Sequence, residues 1–154
     1  MYRLTVLISL LFISLSSIAQ ESPRATQPAA AYDEAQILGK CAGYLRFLSQ
    51  IFEAQHKLHQ AKDASNRSNG WYIATMGALL AAGWKGENVV RTADSIYEGA
   101  VASWMALAES GDSNLQREID KEYSLCLSHT NSQELYREFI KQIANQSTTS
   151  STSK

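Results

Sequence analysis

Apolar residues recur three and four positions apart through most of this chain, which is the spacing of an amphipathic helix. No proline follows Pro28, and no segment alternates apolar and polar residues as a half-buried strand does. The pattern therefore predicts an all-α fold. We expect an antiparallel, up-and-down bundle of four main helices with a short fifth helix at its C-terminal end.

The first two predicted helices are separated by a polar segment. The first covers residues 30–64, and the polar run 63–70 is expected to break the pattern. The second covers residues 71–84 and has no charged residue, which predicts a helix that is buried on most sides. The apolar stripe of the first helix consists of Leu38, Cys41, Leu45, Leu48 and Phe52.

Three further helices complete the predicted bundle. The third covers residues 87–109 and is expected to stop at Gly111, because glycine favours the left-handed conformation that ends helices. The fourth begins near Ser113 and the short fifth covers residues 133–144. The inner face of the fourth helix consists of Leu115, Ile119, Tyr123 and Cys126.

The N-terminus has the pattern of a secretory signal peptide. Arg3 supplies the positive charge, residues 4–18 are apolar and uncharged, and Ala19 follows as a small residue at the cleavage position. The alternative is an uncleaved anchor, but its apolar core is shorter than the span of about 20 residues that a bilayer requires. We therefore expect residues 1–19 to be a signal peptide.

The domain organisation follows from this assignment. The region 20–30 contains both prolines of the chain and is predicted to be an extended leader. Residues 31–146 form the predicted helical domain. Residues 147–154 are almost entirely Ser and Thr and are predicted to be a disordered tail.

Export changes the interpretation of the two cysteines. In an oxidising compartment, Cys41 and Cys126 are expected to form a disulfide. In an up-and-down bundle, both lie on the apolar stripes of neighbouring helices and at the same end. The alternative is a pair of buried free thiols. The chain lacks the C-x-x-C motif of disulfide oxidoreductases.

One helical face suggests a metal site. Glu53, His56, His59 and Asp63 are spaced by three, three and four residues, so a continuous helix would place them in one row. Imidazole and carboxylate ligands suit Zn²⁺ or another first-row metal. The alternative is a solvated polar face, and no second Glu-x-x-His element completes a di-iron site.

Catalytic signatures are missing from the sequence. It has no Gly-x-Ser-x-Gly elbow and no C-x-x-C-H haem attachment motif. We therefore expect a protein that is not an enzyme and that requires no cofactor. The formal net charge of −1, with no run of Lys or Arg, argues against binding nucleic acid or an anionic membrane surface.

The middle of the chain is rich in large aromatic residues. They fill the core in one interpretation and form a surface for a partner or an apolar ligand in the other. The residues concerned are Trp71, Tyr72, Trp84, Tyr97 and Trp104.

Three functional hypotheses follow. The leading one is a periplasmic or secreted binding module that acts through protein–protein contacts, as an inhibitor, an immunity protein, a chaperone or a secretion accessory does. Its partner would be another envelope or secreted protein. The second hypothesis is a metal- or ligand-binding bundle that uses the end of the first helix. The third is a membrane-active protein that uses residues 71–84.

Overall fold

The computed structural model describes residues 28–151, with side chains up to residue 146. Within these residues the chain is all-helical and has no strand, so the predicted fold class is confirmed. The predicted signal peptide and residues 20–27 of the predicted leader lie outside the described residues. The helices are α1 (Pro28–Ala54), α2 (Leu58–Ala81), α3 (Glu87–Glu109), α4 (Leu115–Ser128) and α5 (Thr130–Ser151).

The predicted break between the first two helices is in the wrong place. The chain is helical through the polar segment 63–70, and the break falls at residues 55–57. Small side chains explain the difference: Ala61, Ala64 and Ser68 are buried, so this segment does have an inner face. That face escapes a pattern analysis that counts only large apolar residues.

His56 lies two positions after the last residue of α1 and adopts the left-handed conformation, with a φ of 57°. The backbone N–H of Lys57 donates to the carbonyl oxygen of Phe52 at 2.8 Å, and that of His56 donates to Glu53 at 3.0 Å. These two bonds form a Schellman motif, which usually has glycine at the left-handed position. His56 therefore occupies a position that disfavours a side chain.

The C-terminal helix is longer than predicted. α5 begins at Thr130 and continues to Ser151, so residues 147–151 of the predicted disordered tail are helical, and Pro28 to Ala30 of the predicted leader belong to α1. A low apolar content removes tertiary packing, but it does not prevent an existing helix from adding one hydrogen bond per residue.

Two serine hydroxyls tie α2 to α1. Ser49 donates to the carbonyl oxygen of Ala61 at 2.9 Å, and Ser68 donates to that of Ala42 at 2.8 Å. All four residues are buried, so each hydroxyl satisfies a polar group that would otherwise be costly to remove from water. The order of these contacts shows that α2 returns along α1.

Two glycines allow α3 to approach α1 closely. A Cβ on Gly43 would lie 2.5 Å from the Cβ of Ala100 and 2.7 Å from the carbonyl oxygen of Tyr97. A Cβ on Gly39 would lie 2.5 Å from a methyl carbon of Ile96. Since real Cβ atoms do not come this close, the packing of α1 against α3 requires hydrogen at both positions.

The cystine Cys41–Cys126 joins α1 to α4. The two sulfur atoms lie 2.04 Å apart, at disulfide distance, and 85 positions separate the residues in sequence. The predicted pairing is therefore confirmed. A loop of this length corresponds to about 4.5 kcal/mol of stabilisation in the loop-entropy model.

Replacing His56 with glycine should stabilise the protein. Glycine removes the steric cost of a left-handed side chain, and we expect a gain of about 0.5–1 kcal/mol in the free energy of unfolding. Urea denaturation measures it. His56→Ala is the matched control, because it removes the ring but keeps the Cβ, and it should give no gain. Destabilisation by His56→Gly would show that the ring itself has a structural role.

Replacing Gly43 with alanine should destabilise the protein by about 1–3 kcal/mol, because α3 must move away from α1. Gly99→Ala is the control, because Gly99 belongs to α3, the helix that Gly43 contacts, and a Cβ at Gly99 meets nothing within 4 Å. The control should gain up to about 1 kcal/mol from helix propensity. Equal changes in the thermal midpoints of the two variants would refute the close approach.

Candidate binding groove

The structure does not place the predicted metal-site residues on one helical face. Because α1 ends at Ala54, Glu53 belongs to α1, His56 to the connection, and His59 and Asp63 to α2. All four are exposed. The premise of a continuous helix is therefore wrong.

A different set of possible ligands does converge. Among the described residues, one group of three or more His, Cys, Asp or Glu side chains has ligand atoms within 4.8 Å of one another: Cys41, Glu122 and Cys126. Its two sulfur atoms are bonded to each other as the cystine, so they are not thiolate ligands in this state.

The predicted aromatic surface is divided by the fold. Trp71 is buried in the core, and Trp104 packs on the rings of Tyr44 and Phe47 with centroid distances of 5.2 and 5.7 Å. Trp84 is 36% exposed and stacks on Tyr32. Trp71 and Trp104 therefore pack in or against the core, and the three tryptophans do not form a single partner surface.

The other two aromatic residues form a polar contact between α2 and α3. Tyr72 donates its hydroxyl to a carboxylate oxygen of Asp94 at 2.6 Å, and its ring meets Tyr97 edge-on. Burial and this hydrogen bond raise the pKa of Tyr72 to about 12. Tyr72 therefore remains protonated and keeps its bond to Asp94 at physiological pH.

The apolar segment 71–84 lies mostly in the core, with Trp71, Ala74, Gly77 and Leu79 buried. No helix within residues 28–151 is long and apolar enough to cross a bilayer. The membrane-active hypothesis stays a prediction.

The candidate site is a groove of about 440 Å³ between α2, α4 and α5, with Tyr44 and Leu45 of α1 at its base. We call it the arginine groove. Its α2 side comes mainly from the polar segment that was predicted to be a break. It is lined by Tyr44, Leu45, Asn66, Arg67, Asn69, Gly70, Trp71, Ile73, Tyr123, Cys126, Leu127, Thr130, Gln133 and Arg137.

The polar lining of the arginine groove is cationic. Arg67 comes from α2 and Arg137 from α5, and no Asp or Glu is among the lining residues. Among the described residues, neither arginine forms an ion pair with a carboxylate. A Cβ on Gly70 would lie 3.7 Å from a terminal guanidinium nitrogen of Arg137, so the absence of a side chain there leaves space beside this group.

The remaining lining is apolar and aromatic. Tyr123 is 43% exposed and Leu127 is 51% exposed, and Ile73 faces them from α2. At the base, burial raises the pKa of Tyr44 to about 12; the charges of Glu122 and Asp120 add to this rise, whereas Arg67 opposes it. The groove therefore combines permanent positive charge with accessible apolar surface.

Sequence reasoning missed this site because its residues come from distant parts of the chain. Arg67 lies in the polar segment, and Arg137 lies between apolar positions of α5. Their proximity depends on how α5 packs against α2, where a Cβ on Gly77 would lie 2.5 Å from the carbonyl oxygen of Tyr136. No local motif signals such a contact.

Glu122 lies on the other side of the cystine, in a shallow depression that also includes Lys40 and Trp104. Burial raises the pKa of its carboxyl above the ordinary value of 4.5, while the charges of Lys40 and Lys121 act against the rise. The native state therefore binds this proton more tightly than the unfolded chain, and the ionised form costs stability.

Glu122→Gln should stabilise the protein at neutral pH and have little effect below pH 4.5, where the native carboxyl is already neutral. In the wild type, the contribution of Glu122 to the free energy of unfolding falls as the pH rises from 4.5 through the raised pKa. Thermal midpoints across this range measure the effect. Glu134→Gln, on an exposed position of α5, is the control and should change little at any pH. A gain that is the same at every pH would contradict the raised pKa.

No protein-family model, curated protein or solved structure matches this chain significantly.

Proposed function

We propose that this chain is an exported, non-enzymatic binding module that acts through protein–protein contacts, and that the arginine groove is its binding site. The up-and-down arrangement of the four main helices belongs to the same proposal. So does a periplasmic location, for which a chain that keeps one cystine is well suited.

The observation that carries the proposal is the pair of arginines without a carboxylate partner in the groove. A guanidinium group binds a carboxylate through two parallel hydrogen bonds, and these strengthen where water is partly excluded. Arg137 is half-buried, and the groove lining has no acidic side chain that could form an ion pair with it. A partner that supplies carboxylates would complete the site.

The apolar lining defines the rest of the partner. Tyr and Arg are among the residue types that dominate binding energy at protein interfaces, and the groove has the exposed Tyr123 and both arginines. Asn66 and Asn69 add amide groups that can hydrogen-bond a peptide backbone. We therefore assign the groove to a protein segment that combines acidic and apolar side chains.

A protein of this type fits the roles of an inhibitor, an immunity protein, a chaperone or a secretion accessory. Each of these acts by holding another exported protein, and none requires a catalytic group in the site. The net charge of −1 also supports a local electrostatic match over a general attraction to polyanions.

Peptide display on the oxidised chain without residues 1–19 tests the proposal. We expect the selected peptides to combine Asp or Glu with apolar residues. Arg67→Ala and Arg137→Ala should each weaken binding of the selected peptides by about tenfold or more, because each removes a charged hydrogen-bond donor. Isothermal calorimetry measures the binding, and tryptophan fluorescence, to which Trp71 in the groove lining contributes, gives a second readout.

Arg117→Ala is the matched control, because the Arg117 side chain is 72% exposed on α4 and lies outside the groove. It should leave the affinity of the peptides unchanged. Selection of basic peptides, or binding that survives both groove substitutions, would contradict the proposal. Binding of fatty acids in place of peptides would assign the groove to a small amphiphile.

A further inference from the structure

α4 is weakly held by non-covalent packing. Cys126 is its one buried residue, whereas Tyr123, Leu125 and Leu127 are exposed. Ile119 is half-buried against the core. A 14-residue helix with so little apolar burial is not stable on its own in water.

Two polar contacts also reach this region. The Tyr44 hydroxyl donates to the carbonyl oxygen of Ile119 at 3.5 Å, which is a long hydrogen bond. Glu34 contacts the His129 ring at 2.7 Å, with the two side chains 19% and 23% exposed, but His129 follows the last residue of α4, so this contact holds the junction with α5. The cystine is therefore the strongest link between α4 itself and the rest of the bundle.

α4 also forms one complete side of the arginine groove, through Tyr123, Cys126 and Leu127. The opposite side belongs to α2, which is tied to α1 by the buried hydroxyls of Ser49 and Ser68 and does not depend on α4. Displacement of α4 would consequently remove the apolar side of the groove and leave Arg67 on an open surface.

From these contacts we infer that the Cys41–Cys126 bond is a redox gate for the arginine groove: its reduction by a dithiol releases α4 and abolishes binding. This inference rests on the proposed function. It differs from disulfide catalysis, because the bond controls the shape of the site and does not pass electrons to a substrate.

The chemistry is an ordinary thiol–disulfide exchange. One thiolate of the dithiol attacks Sγ of Cys126, the bond to Cys41 breaks, and the departing Cys41 thiolate takes a proton from water. The second thiol of the reagent, once deprotonated, attacks the mixed disulfide and releases Cys126, which is protonated in turn. The protein gains two electrons and two protons, and the dithiol becomes a cyclic disulfide.

The position of the bond determines where the reductant attacks. Cys126 lines the groove and is 5% exposed, whereas Cys41 is fully buried. A peptide in the groove should cover this approach. Coupling is reciprocal: if reduction weakens peptide binding, bound peptide must disfavour reduction.

Hydrogen exchange of the full-length mature chain tests the release of α4. After treatment with dithiothreitol, with the loss of the disulfide verified by thiol titration, we expect amides 115–128 to exchange at least about tenfold faster. Amides of α2 and α3 should remain at least about tenfold more protected than those of α4 in the reduced chain, although loss of the cross-link also lowers their protection through global unfolding. Unchanged exchange in α4 would overturn the gate. An equal loss of protection in α2, α3 and α4 would also overturn it, because the bond would then support the whole fold and not α4 in particular.

The tightest peptide from display is the binding probe. It should lose at least about tenfold in affinity for the reduced chain, and it should slow reduction of the oxidised chain. A Cys41→Ser/Cys126→Ser variant gives the same comparison without a reductant in the cuvette. If its circular dichroism shows retained helices and it binds the peptide at wild-type affinity, the gate is refuted.

The two proposals fail in different ways. If no peptide binds either form while exchange in α4 still rises, the proposed function fails and the redox release of α4 stands. If the peptide binds both forms equally, the binding function stands and the gate fails.

Discussion

The close packing of α1 against its neighbours is the constraint on which the rest of the structure depends. Gly39 and Gly43 have no side chain between the α1 backbone and α3. Hydrogen bonds from two buried serine hydroxyls hold α2 against α1 at two separate points. α1 consequently has 11 buried residues, whereas α4 has one. α2 and α3 are held on α1 by packing, whereas α4, with its single buried residue, is attached to α1 by a covalent bond.

The arginine groove follows from this unequal distribution. α4 is fastened to α1 at Cys41, and α5 is seated on α2 near Gly77, so the surface of α2 between them remains uncovered. Within residues 28–146, nothing apolar covers this surface and no carboxylate pairs with Arg67 or Arg137. Because two arginines without a carboxylate partner border exposed apolar side chains there, we interpret the uncovered surface as a binding site and not as incomplete packing.

The sequence predicted those parts of the fold that depend on local periodicity. α3 has the predicted bounds, Gly111 ends it with a φ of 67°, and the cystine joins the predicted pair. The position of the α1–α2 break could not be read in the same way, because the inner face of 58–70 consists of small residues that resemble a polar loop. The candidate site was harder to predict, because tertiary packing brings Arg67 and Arg137 to one groove from distant parts of the chain. The predicted metal face assumed a first helix that in fact ends too early to form it.

The most direct measurement is a map of amide chemical shifts for the isotope-labelled, oxidised chain during titration with a peptide selected by display. Our account predicts that the largest changes fall in residues 66–73 and 123–137, which line the arginine groove. It also predicts changes in the side-chain Nε–Hε resonances of Arg67 and Arg137. Changes centred on Trp84 and Tyr97, with the groove amides unmoved, would contradict the account and move the binding surface to the aromatic residues of α2 and α3.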